Sequence, residues 1–302
     1  MEQQQTLCQN LEKYSIPYVC DEPLAKHTSF RIGGPAKVLC TPADGRQLIR
    51  ALGLCDQLGV RRYLLGKGSN VLFSDAGFDG AVICTAAFSG APRLGDDGIV
   101  EADAGLGLNQ LCRAAQAWGL TGLEFAYGIP GSVGGAVYMN AGAYGGEIKD
   151  VLHSVVFLDD TGGLRGLPAG ELELGYRHSL FTEKNWCILT ARFRLEAGDP
   201  EKIGEKMRQL MARRVEKQPL DYPSAGSAFK RPQGAFAGAL IDQCGLRGAR
   251  VGGAAVSEKH CGFIVNLGGA TCADVLALAE LVQRTVREKT GYQLEKEIRV
   301  VE

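Results

Sequence analysis

The sequence is richest in glycine at residues 128–146, which read Gly128-Ile-Pro-Gly-Ser-Val-Gly-Gly-Ala-Val-Tyr-Met-Asn-Ala-Gly-Ala-Tyr-Gly-Gly146. A second loop of the same kind, Gly66-Lys-Gly-Ser-Asn70, follows a short apolar run at residues 62–65. Glycine allows close approach of the backbone to a ligand, and consecutive N–H groups in such loops bind anions. Residues 131–135 also enter a predicted helix at Val133, where the helix N-terminus favours negative charge. Two such loops in one half of the chain favour the pyrophosphate of a dinucleotide over a single phosphate.

Neither common nucleotide-binding motif is present. The Rossmann pattern G-x-G-x-x-G fails because Val71 and Gln110 stand where its third glycine belongs. The P-loop pattern fails because Arg61 occupies the position of its first glycine. The hydrolase motif G-x-S-x-G is absent as well. An ordinary tight turn remains the alternative interpretation of either loop taken alone.

Length and composition limit the class of protein. The chain has 302 residues, 45% of them hydrophobic, and 41 are glycine. This content supports sizeable cores in two or three domains and excludes a disordered chain, and the glycines lack the period of collagen. The formal net charge of −1 argues against a general nucleic-acid binder. We expect no secretory signal and no membrane insertion, because neither a basic N-terminal patch with an apolar run nor a long uncharged apolar stretch occurs.

The ten cysteines are scattered, and no two stand in a C-x-x-C pair. This distribution predicts reduced thiols, many of them buried, in a cytoplasmic protein without a zinc site. His153 and His178 show no metal-ligand spacing, so we predict no metal. His260 is a candidate phosphate ligand, although a hydrogen-bonded structural histidine is the more common case.

The periodicity of apolar residues predicts alternating helices and strands. A β-α-β unit carries the loop at residues 66–70 after its second strand, and a compact α+β unit follows a charged connector helix. The predicted helices are residues 3–13, one opening at 44, 109–118, one entering at 133, 200–217, 235–244 and 272–289, and the predicted strands are residues 37–40, 62–65, 71–73, 81–84, 99–102, 151–158, 187–195, one near 251, 263–266 and 297–301.

Three polar residues are candidates for catalysis. Arg177 has a planar guanidinium that can grip a carboxylate with two hydrogen bonds, or it is a surface arginine beside a turn. Ser227 lies among small residues between prolines, where it either reacts or caps its own turn. Glu297 lies on a terminal strand and faces either a cleft or solvent.

Seven motifs, in order along nearly the whole chain, resemble the UDP-N-acetylenolpyruvoylglucosamine reductase (UDP-N-acetylmuramate dehydrogenase) family. Each motif is weak alone, and the ordered set is specific. The motifs are Thr28-Ser-Phe-Arg-Ile-Gly-Gly34, Gly66-Lys-Gly-Ser-Asn70, Gly128-Ile-Pro-Gly-Ser-Val-Gly-Gly135, Met139-Asn-Ala-Gly-Ala-Tyr144, Tyr176-Arg-His-Ser179, Gly226-Ser-Ala-Phe-Lys-Arg-Pro232 and Leu294-Glu-Lys-Glu297.

The resemblance implies an α+β fold with a two-lobed FAD-binding domain of the vanillyl-alcohol-oxidase/PCMH type and a C-terminal α+β substrate-binding domain. The implied ranges are 1–85 and 86–200 for the two FAD lobes and 201–302 for the substrate domain. It also implies non-covalent FAD, NADPH as co-substrate and a UDP-sugar substrate, with the oligomeric state left open. The chain resembles the shorter family branch, without the extra substrate-covering loop that carries a tyrosine.

The resemblance also implies residue roles. Ser227 would protonate the carbanion or enolate formed on hydride transfer, while Arg177 and Glu297 would stabilise it at the substrate carboxylate. We hypothesise that Glu297 donates a hydrogen bond as a neutral acid, held protonated by burial and by that carboxylate. Lys217 and Arg231 are candidates for the substrate phosphates. The implied FAD-binding residues are Gly66, Lys67, Gly68, Ser69, Asn70, Val71, Ile129, Pro130, Gly131, Ser132, Gly134, Gly135, Asn140, Ala141 and Gly142.

Two other functions remain open at this point. One is an FAD-dependent oxidase of a sugar or hydroxy acid, with FAD attached covalently to His27 or Cys84. The other is a non-catalytic module that binds a UDP-sugar or a nucleotide. The combination of Arg177, Ser227 and Glu297 argues against the second.

Overall fold

The computed structural model describes residues 2–302. In this range the helices are α1 (Glu2–Lys13), α2 (Gly45–Leu58), α3 (Leu108–Ala117), α4 (Val133–Tyr138), α5 (Pro200–Lys217), α6 (Ala237–Gln243) and α7 (Cys272–Thr290). The strands are β1 (Tyr18–Pro23), β2 (Pro35–Cys40), β3 (Arg62–Leu65), β4 (Val71–Phe73), β5 (Phe78–Cys84), β6 (Arg93–Leu94), β7 (Ile99–Asp103), β8 (Leu120–Thr121), β9 (Gly142–Ala143), β10 (Gly146–Glu147), β11 (Leu152–Leu158), β12 (Leu164–Pro168), β13 (Cys187–Arg194), β14 (Glu196–Ala197), β15 (Ser224–Ser227), β16 (Arg250–Val251), β17 (Ala254–Val256), β18 (Phe263–Asn266) and β19 (Arg299–Val301).

The chain divides into two compact units, each made of several segments. Of the described residues, unit 1 comprises 2–20, 38–67 and 80–214, and unit 2 comprises 21–37, 68–79 and 215–302. The division falls inside β1, β2, β5 and α5. The predicted ranges 1–85, 86–200 and 201–302 are continuous in sequence and differ in this respect, and they stay a prediction.

Unit 1 is built around a five-stranded antiparallel sheet with strand order β12-β11-β13-β7-β6. In a second sheet, of order β1-β2-β5-β3, strands β3 and β5 are parallel. Helices α1 to α4 bury apolar faces in one continuous core; Leu7, Leu48 and Leu111 are fully buried in it. The start of α2 follows the sequence prediction, because the Asp44 side chain accepts a hydrogen bond of 2.8 Å from the Gln47 N–H.

Unit 2 contains an antiparallel sheet of order β15-β18-β17-β16 and the parallel pair β19-β4. Its core joins α6 and α7 to residues from the two short early segments, among them Phe30 and Leu72. Asp75 accepts hydrogen bonds from the N–H groups of Cys272 (2.7 Å) and Ala273 (3.1 Å), so it caps α7. Unit 2 is therefore assembled from residues that are almost 200 positions apart.

Some predicted elements differ from the structure. Predicted helix 235–244 is shorter, at Ala237–Gln243, and strand 297–301 begins only at Arg299. The sequence did not predict nine of the strands, which are β1, β6, β8, β9, β10, β12, β14, β15 and β17. Among residues 2–302, no helix combines the length and the apolar character needed to cross a bilayer.

Candidate functional site

The loop at residues 66–70 follows β3, and its backbone N–H groups are unbonded. Within the described part of the chain, none of its five N–H groups donates to a protein acceptor. Gly68 has φ of +61°, and a Cβ there would collide with the carbonyl oxygen of His27, so a side chain is excluded. A run of unbonded N–H groups on a glycine-rich loop is the arrangement that binds a phosphate or pyrophosphate.

The second glycine-rich loop lies against the first inside unit 1. A Cβ on Gly66 would stand 2.6 Å from the Ser132 Oγ, so the two loops approach as closely as glycine permits. Ser132 is buried, and its Oγ accepts a hydrogen bond from the Gly135 N–H at the start of α4. This close approach joins Gly66 to Ser132 within unit 1, whereas residues 68–70 of the first loop belong to unit 2.

The N–H groups at the start of α4 are used inside the protein. Those of Val133 and Gly134 donate to the carbonyl oxygens of Leu106 and Ala104, each at 2.8 Å. Together with the Ser132 cap, these bonds leave the helix start without the free donors that the sequence suggested. The second loop thus has no free N–H groups at the start of α4 to bind an anion, and it can contribute only a backbone that a ligand approaches closely.

Asn140 uses its side-chain amide to support neighbouring backbone. Its Nδ2 donates to the Glu147 Oε2 (3.0 Å) and to the Gly175 carbonyl (2.9 Å), and its Oδ1 accepts from the Lys149 N–H (2.9 Å). With 1% of its surface exposed, Asn140 has no side-chain group left for a ligand. Its predicted role in FAD binding could be met only through its backbone.

Arg177 occupies a strained turn that Asn140 helps to hold. Gly175 and His178 pair across this turn, and Arg177 has φ of +54°, a conformation that is costly for a residue with a side chain. Its guanidinium stacks on the Tyr176 ring at 5.1 Å. Strained backbone of this kind is concentrated at functional sites, which supports a role for Arg177.

Glu147 is a charged residue beside Arg177 that sequence reasoning did not single out. Its pKa is lowered, first by a hydrogen bond from Lys149, then by one from Asn140, and further by the charges of Lys149 and Arg177. Glu147 therefore stays ionised near Arg177. No spacing in the sequence could have indicated this cluster, because Asn140 and Gly175 are 35 positions apart.

Ser227 lies at the end of β15 in unit 2. The pairing of β15 with β18 shifts register between Ser224 and Ser227, and Gly226 within this irregularity has φ of +76°. Such bulges redirect side chains next to active sites. Nothing lies within 4 Å of the position of a Cβ on Gly226, so the backbone beside Ser227 is open.

Glu297 is brought next to Ser227 by backbone pairing. The Glu297 N–H donates to the carbonyl of Ala228, the residue after Ser227, at 2.9 Å. Asn70 holds the same segment, because its Nδ2 donates to the Glu297 carbonyl at 3.1 Å. Asn70 thus links the first glycine-rich loop directly to the Glu297 backbone, and Glu297 is half-buried.

The remaining predicted site residues lie on other elements of the two units. Val71 is a buried residue of β4, opposite Arg299. Lys217 is the last residue of α5 and is exposed. Arg231 lies over the exposed Phe236 ring at 4.5 Å. Arg177 belongs to unit 1, whereas Ser227 and Glu297 belong to unit 2.

The surroundings of Cys84 and His27 bear on the alternative of covalent FAD attachment. Cys84 lies beside the first loop, with its Sγ 3.9 Å from the Gly66 carbonyl oxygen, and burial raises the pKa of its thiol. A buried thiol of raised pKa is a poor nucleophile. The His27 ring is hydrogen-bonded to Glu22 at 3.0 Å.

These loops and sheets correspond to a known class of fold. A family model described as an FAD binding domain matches residues 36–167. The solved structure of Physcomitrella patens BBE-like 1 aligns with 63% of this chain and 44% of its own, at 20% identity and a TM-score of 0.51. That likeness supports the fold alone, and together with the family model it confirms the predicted FAD-binding fold.

A second family model, described as the C-terminal domain of UDP-N-acetylenolpyruvoylglucosamine reductase, matches residues 218–301. The reductases named UDP-N-acetylenolpyruvoylglucosamine reductase from Caldanaerobacter subterraneus subsp. tengcongensis and Lachnoclostridium phytofermentans are 47% and 48% identical, each over 93% of this chain and 92% of theirs. The solved structure of the Thermus caldophilus reductase matches at 36% identity and a TM-score of 0.80, covering 95% of this chain and 99% of its own. The chain belongs to the UDP-N-acetylenolpyruvoylglucosamine reductase family, which confirms the resemblance noted in its motifs.

Proposed function

We infer that this chain catalyses the NADPH-driven, FAD-dependent reduction of the enolpyruvyl group of UDP-N-acetylenolpyruvoylglucosamine to UDP-N-acetylmuramate in peptidoglycan synthesis. The observation that carries this function is the 47% identity to the Caldanaerobacter subterraneus reductase. The aligned region covers 93% of this chain and includes both the FAD-binding and the C-terminal regions. The enzyme is a flavoprotein oxidoreductase. Because both of its substrates are nucleotides of the cell interior, we place the reaction in the cytoplasm.

The residues around the two glycine-rich loops fit FAD. The unbonded N–H groups of residues 66–70 suit its pyrophosphate. Lys67 contributes an exposed ammonium group next to Gly107. Bound FAD supplies a hydride relay from NADPH to the enolpyruvyl double bond.

Ser227 is proposed as the proton donor. A hydroxyl is a weak acid, but a carbanion next to a carboxylate is a strong base, so a well-placed serine can donate and recover its proton from water. The bulge at the end of β15 supports this role, because bulges redirect side chains next to active sites, and the space beside the neighbouring Gly226 is open.

Arg177 and Glu297 are proposed to stabilise the substrate carboxylate as negative charge develops. The fixed turn of Arg177 pre-orients its guanidinium, which is most effective when charge builds in the transition state. Glu297 is proposed to donate a hydrogen bond in its neutral form, next to Ser227 through the Ala228 pairing. Lys217 and Arg231 are proposed contacts for the substrate phosphates.

Anaerobic spectroscopy tests the function. We expect NADPH to bleach the flavin band at about 450 nm and UDP-N-acetylenolpyruvoylglucosamine to restore it. Reduced flavin that responds to dioxygen but not to this substrate would contradict the proposal. Flavin that stays on the denatured chain would instead support the covalent-oxidase alternative.

A further inference from the structure

Two of the ten cysteines differ from the others in their exposure. Cys20 is exposed and Cys8 is half-buried, whereas the remaining eight are buried. Cys8 lies on α1 and Cys20 on β1, both within unit 1. The two Sγ atoms are 3.6 Å apart, which is van der Waals contact between sulfurs.

The surrounding elements hold the two thiols in this arrangement. Leu7 and Leu11 are fully buried and fix the face of α1 that carries Cys8. Cys20 is the last residue of unit 1 before the chain enters unit 2. A disulfide bond of about 2.05 Å needs the sulfurs to approach by roughly 1.5 Å, which small side-chain rotations on a folded scaffold can supply.

We propose that Cys8 and Cys20 form an oxidation site that a small, low-molecular-weight disulfide converts to an intrachain disulfide bond. The exposed Cys20 thiolate attacks one sulfur of the oxidant and releases one equivalent of small thiolate. The Cys8 Sγ, after losing its proton to solvent, then attacks the Cys20 Sγ and releases the second. Two protein thiols thereby lose two electrons to one oxidant disulfide, which leaves as two thiols.

The environment of Cys8 supports this order of events. Burial, followed by the hydrogen bond and the charge of Cys20, raises the pKa of Cys8 to about 11. Cys8 is thus kept as a thiol at neutral pH and is a poor first nucleophile, while Cys20 is open to solvent. The phenol of Tyr18, the carboxylate of Glu12 and the buried thiol of Cys40 are other titratable groups near this pair.

The site is tested by treating the FAD-loaded enzyme with 2-hydroxyethyl disulfide, alkylating free thiols and digesting with trypsin. Because Lys13 lies between the two cysteines, we expect a linked pair of peptides, residues 1–13 and 14–26, that dithiothreitol separates. The oxidised enzyme should also unfold at a temperature higher by on the order of 5 °C, since the bond restricts the unfolded chain.

Two variants and one control make the outcome decisive. Cys20→Ser should abolish both the linked peptides and the thermal shift, and Cys8→Ser should leave a stable mixed disulfide on Cys20. Cys272→Ser, in unit 2, should keep the linked peptides. A wild-type protein that forms only a mixed adduct at Cys20, a dimer through Cys20, or no product would overturn the proposal.

Discussion

Ser227 is the residue on which proton transfer to the substrate depends in the proposed reaction. Ser227→Ala should slow reoxidation of reduced flavin by the enolpyruvyl substrate about 10²–10⁴-fold, which is the usual contribution of a positioned acid. Reduction by NADPH should be unchanged, because no proton from Ser227 is needed there. Stopped-flow absorbance separates these two half-reactions.

A matched control lies on the same strand. Ser224→Ala removes a hydroxyl from β15 while its carbonyl keeps the hydrogen bond from Ser29 (2.7 Å). We expect this variant to behave as the wild type in both half-reactions. An equal loss in both variants would show that β15 was disturbed as a whole and would remove the specific role of Ser227.

Glu297 should act as a neutral hydrogen-bond donor. Glu297→Gln keeps a donor and the size of the side chain, so it should retain substantial activity, within about tenfold of the wild type. Glu297→Ala removes the donor and should lose far more. Steady-state kcat and KM of both variants test this hypothesis. If Glu297→Gln is as inactive as Glu297→Ala, the neutral-donor hypothesis is wrong.

At the scale of elements, the loop at residues 66–70 depends on Gly68. Gly68→Ala should destabilise the protein by about 2 kcal/mol or more, because a left-handed φ alone costs an alanine roughly 1–2 kcal/mol and its Cβ would meet the His27 carbonyl. We also expect weaker FAD binding, since the loop must move. Denaturant unfolding and a fluorescence titration with FAD measure both effects.

Gly53→Ala is the control for that substitution. Gly53 lies inside α2, and nothing lies within 4 Å of the position of its Cβ. Alanine there should stabilise the protein by roughly 0.5–1 kcal/mol. If the free energy of unfolding falls in Gly68→Ala and rises in Gly53→Ala, local backbone geometry is the reason that residue 68 must be glycine.

The turn that carries Arg177 is followed by a histidine whose charge is stabilised. The pKa of His178 is raised, first by a hydrogen bond to Glu183 (2.9 Å) and then by one to the Glu173 carbonyl. Since the folded pKa exceeds the unfolded one, the contact stabilises the turn below the ordinary histidine value of about 6.5. That stabilisation is lost as pH rises through the folded pKa, and it is small because both side chains are exposed.

An NMR titration of the His178 ring checks this. Glu183→Gln should bring the pKa of His178 down toward its ordinary value, whereas Glu171→Gln, an exposed neighbour in the same segment, should leave it unchanged. A titration curve that is the same in all three proteins would show that the contact with Glu183 is absent in solution.

Local sequence signals located the elements that have clear boundaries. Strands β3, β4 and β18 and helix α5 were predicted with their observed bounds, because apolar runs or an amphipathic period end there at turn residues. β12 was missed because its five residues, Leu164–Pro168, are mostly exposed and do not alternate. β17 was missed because two of its three residues are alanines, which have low strand propensity.

The candidate site was predictable only in part. Motif resemblance indicated Arg177, Ser227 and Glu297 as candidates, but it could not show which contacts hold them in place. Asn140 reaches Gly175 across 35 positions and Asn70 reaches Glu297 across 227. Such long-range contacts arise from packing, and no local period or propensity encodes them.

At the scale of the whole molecule, the interleaved segments determine which parts can fold alone. The C-terminal family model covers residues 218–301, yet the core of unit 2 also includes Phe30, Ile32 and Leu72. Strand β19 pairs only with β4 in the described structure, and Asp75 caps α7. An isolated C-terminal fragment would lack all of these contributions.

We therefore expect the fragment 215–302 to have no cooperative thermal unfolding transition when its circular dichroism is followed with temperature. In the full chain, Phe30→Ala should destabilise the protein by about 3–5 kcal/mol, because it opens a cavity in the core that the early segment shares with the C-terminal residues. Phe236→Ala, at a side chain that is 61% exposed, should change stability by less than about 1 kcal/mol. The result that contradicts this expectation is a fragment that unfolds cooperatively together with a Phe30→Ala variant of unchanged stability. It would mean that residues 215–302 form a core of their own, to which the early segments contribute little stability.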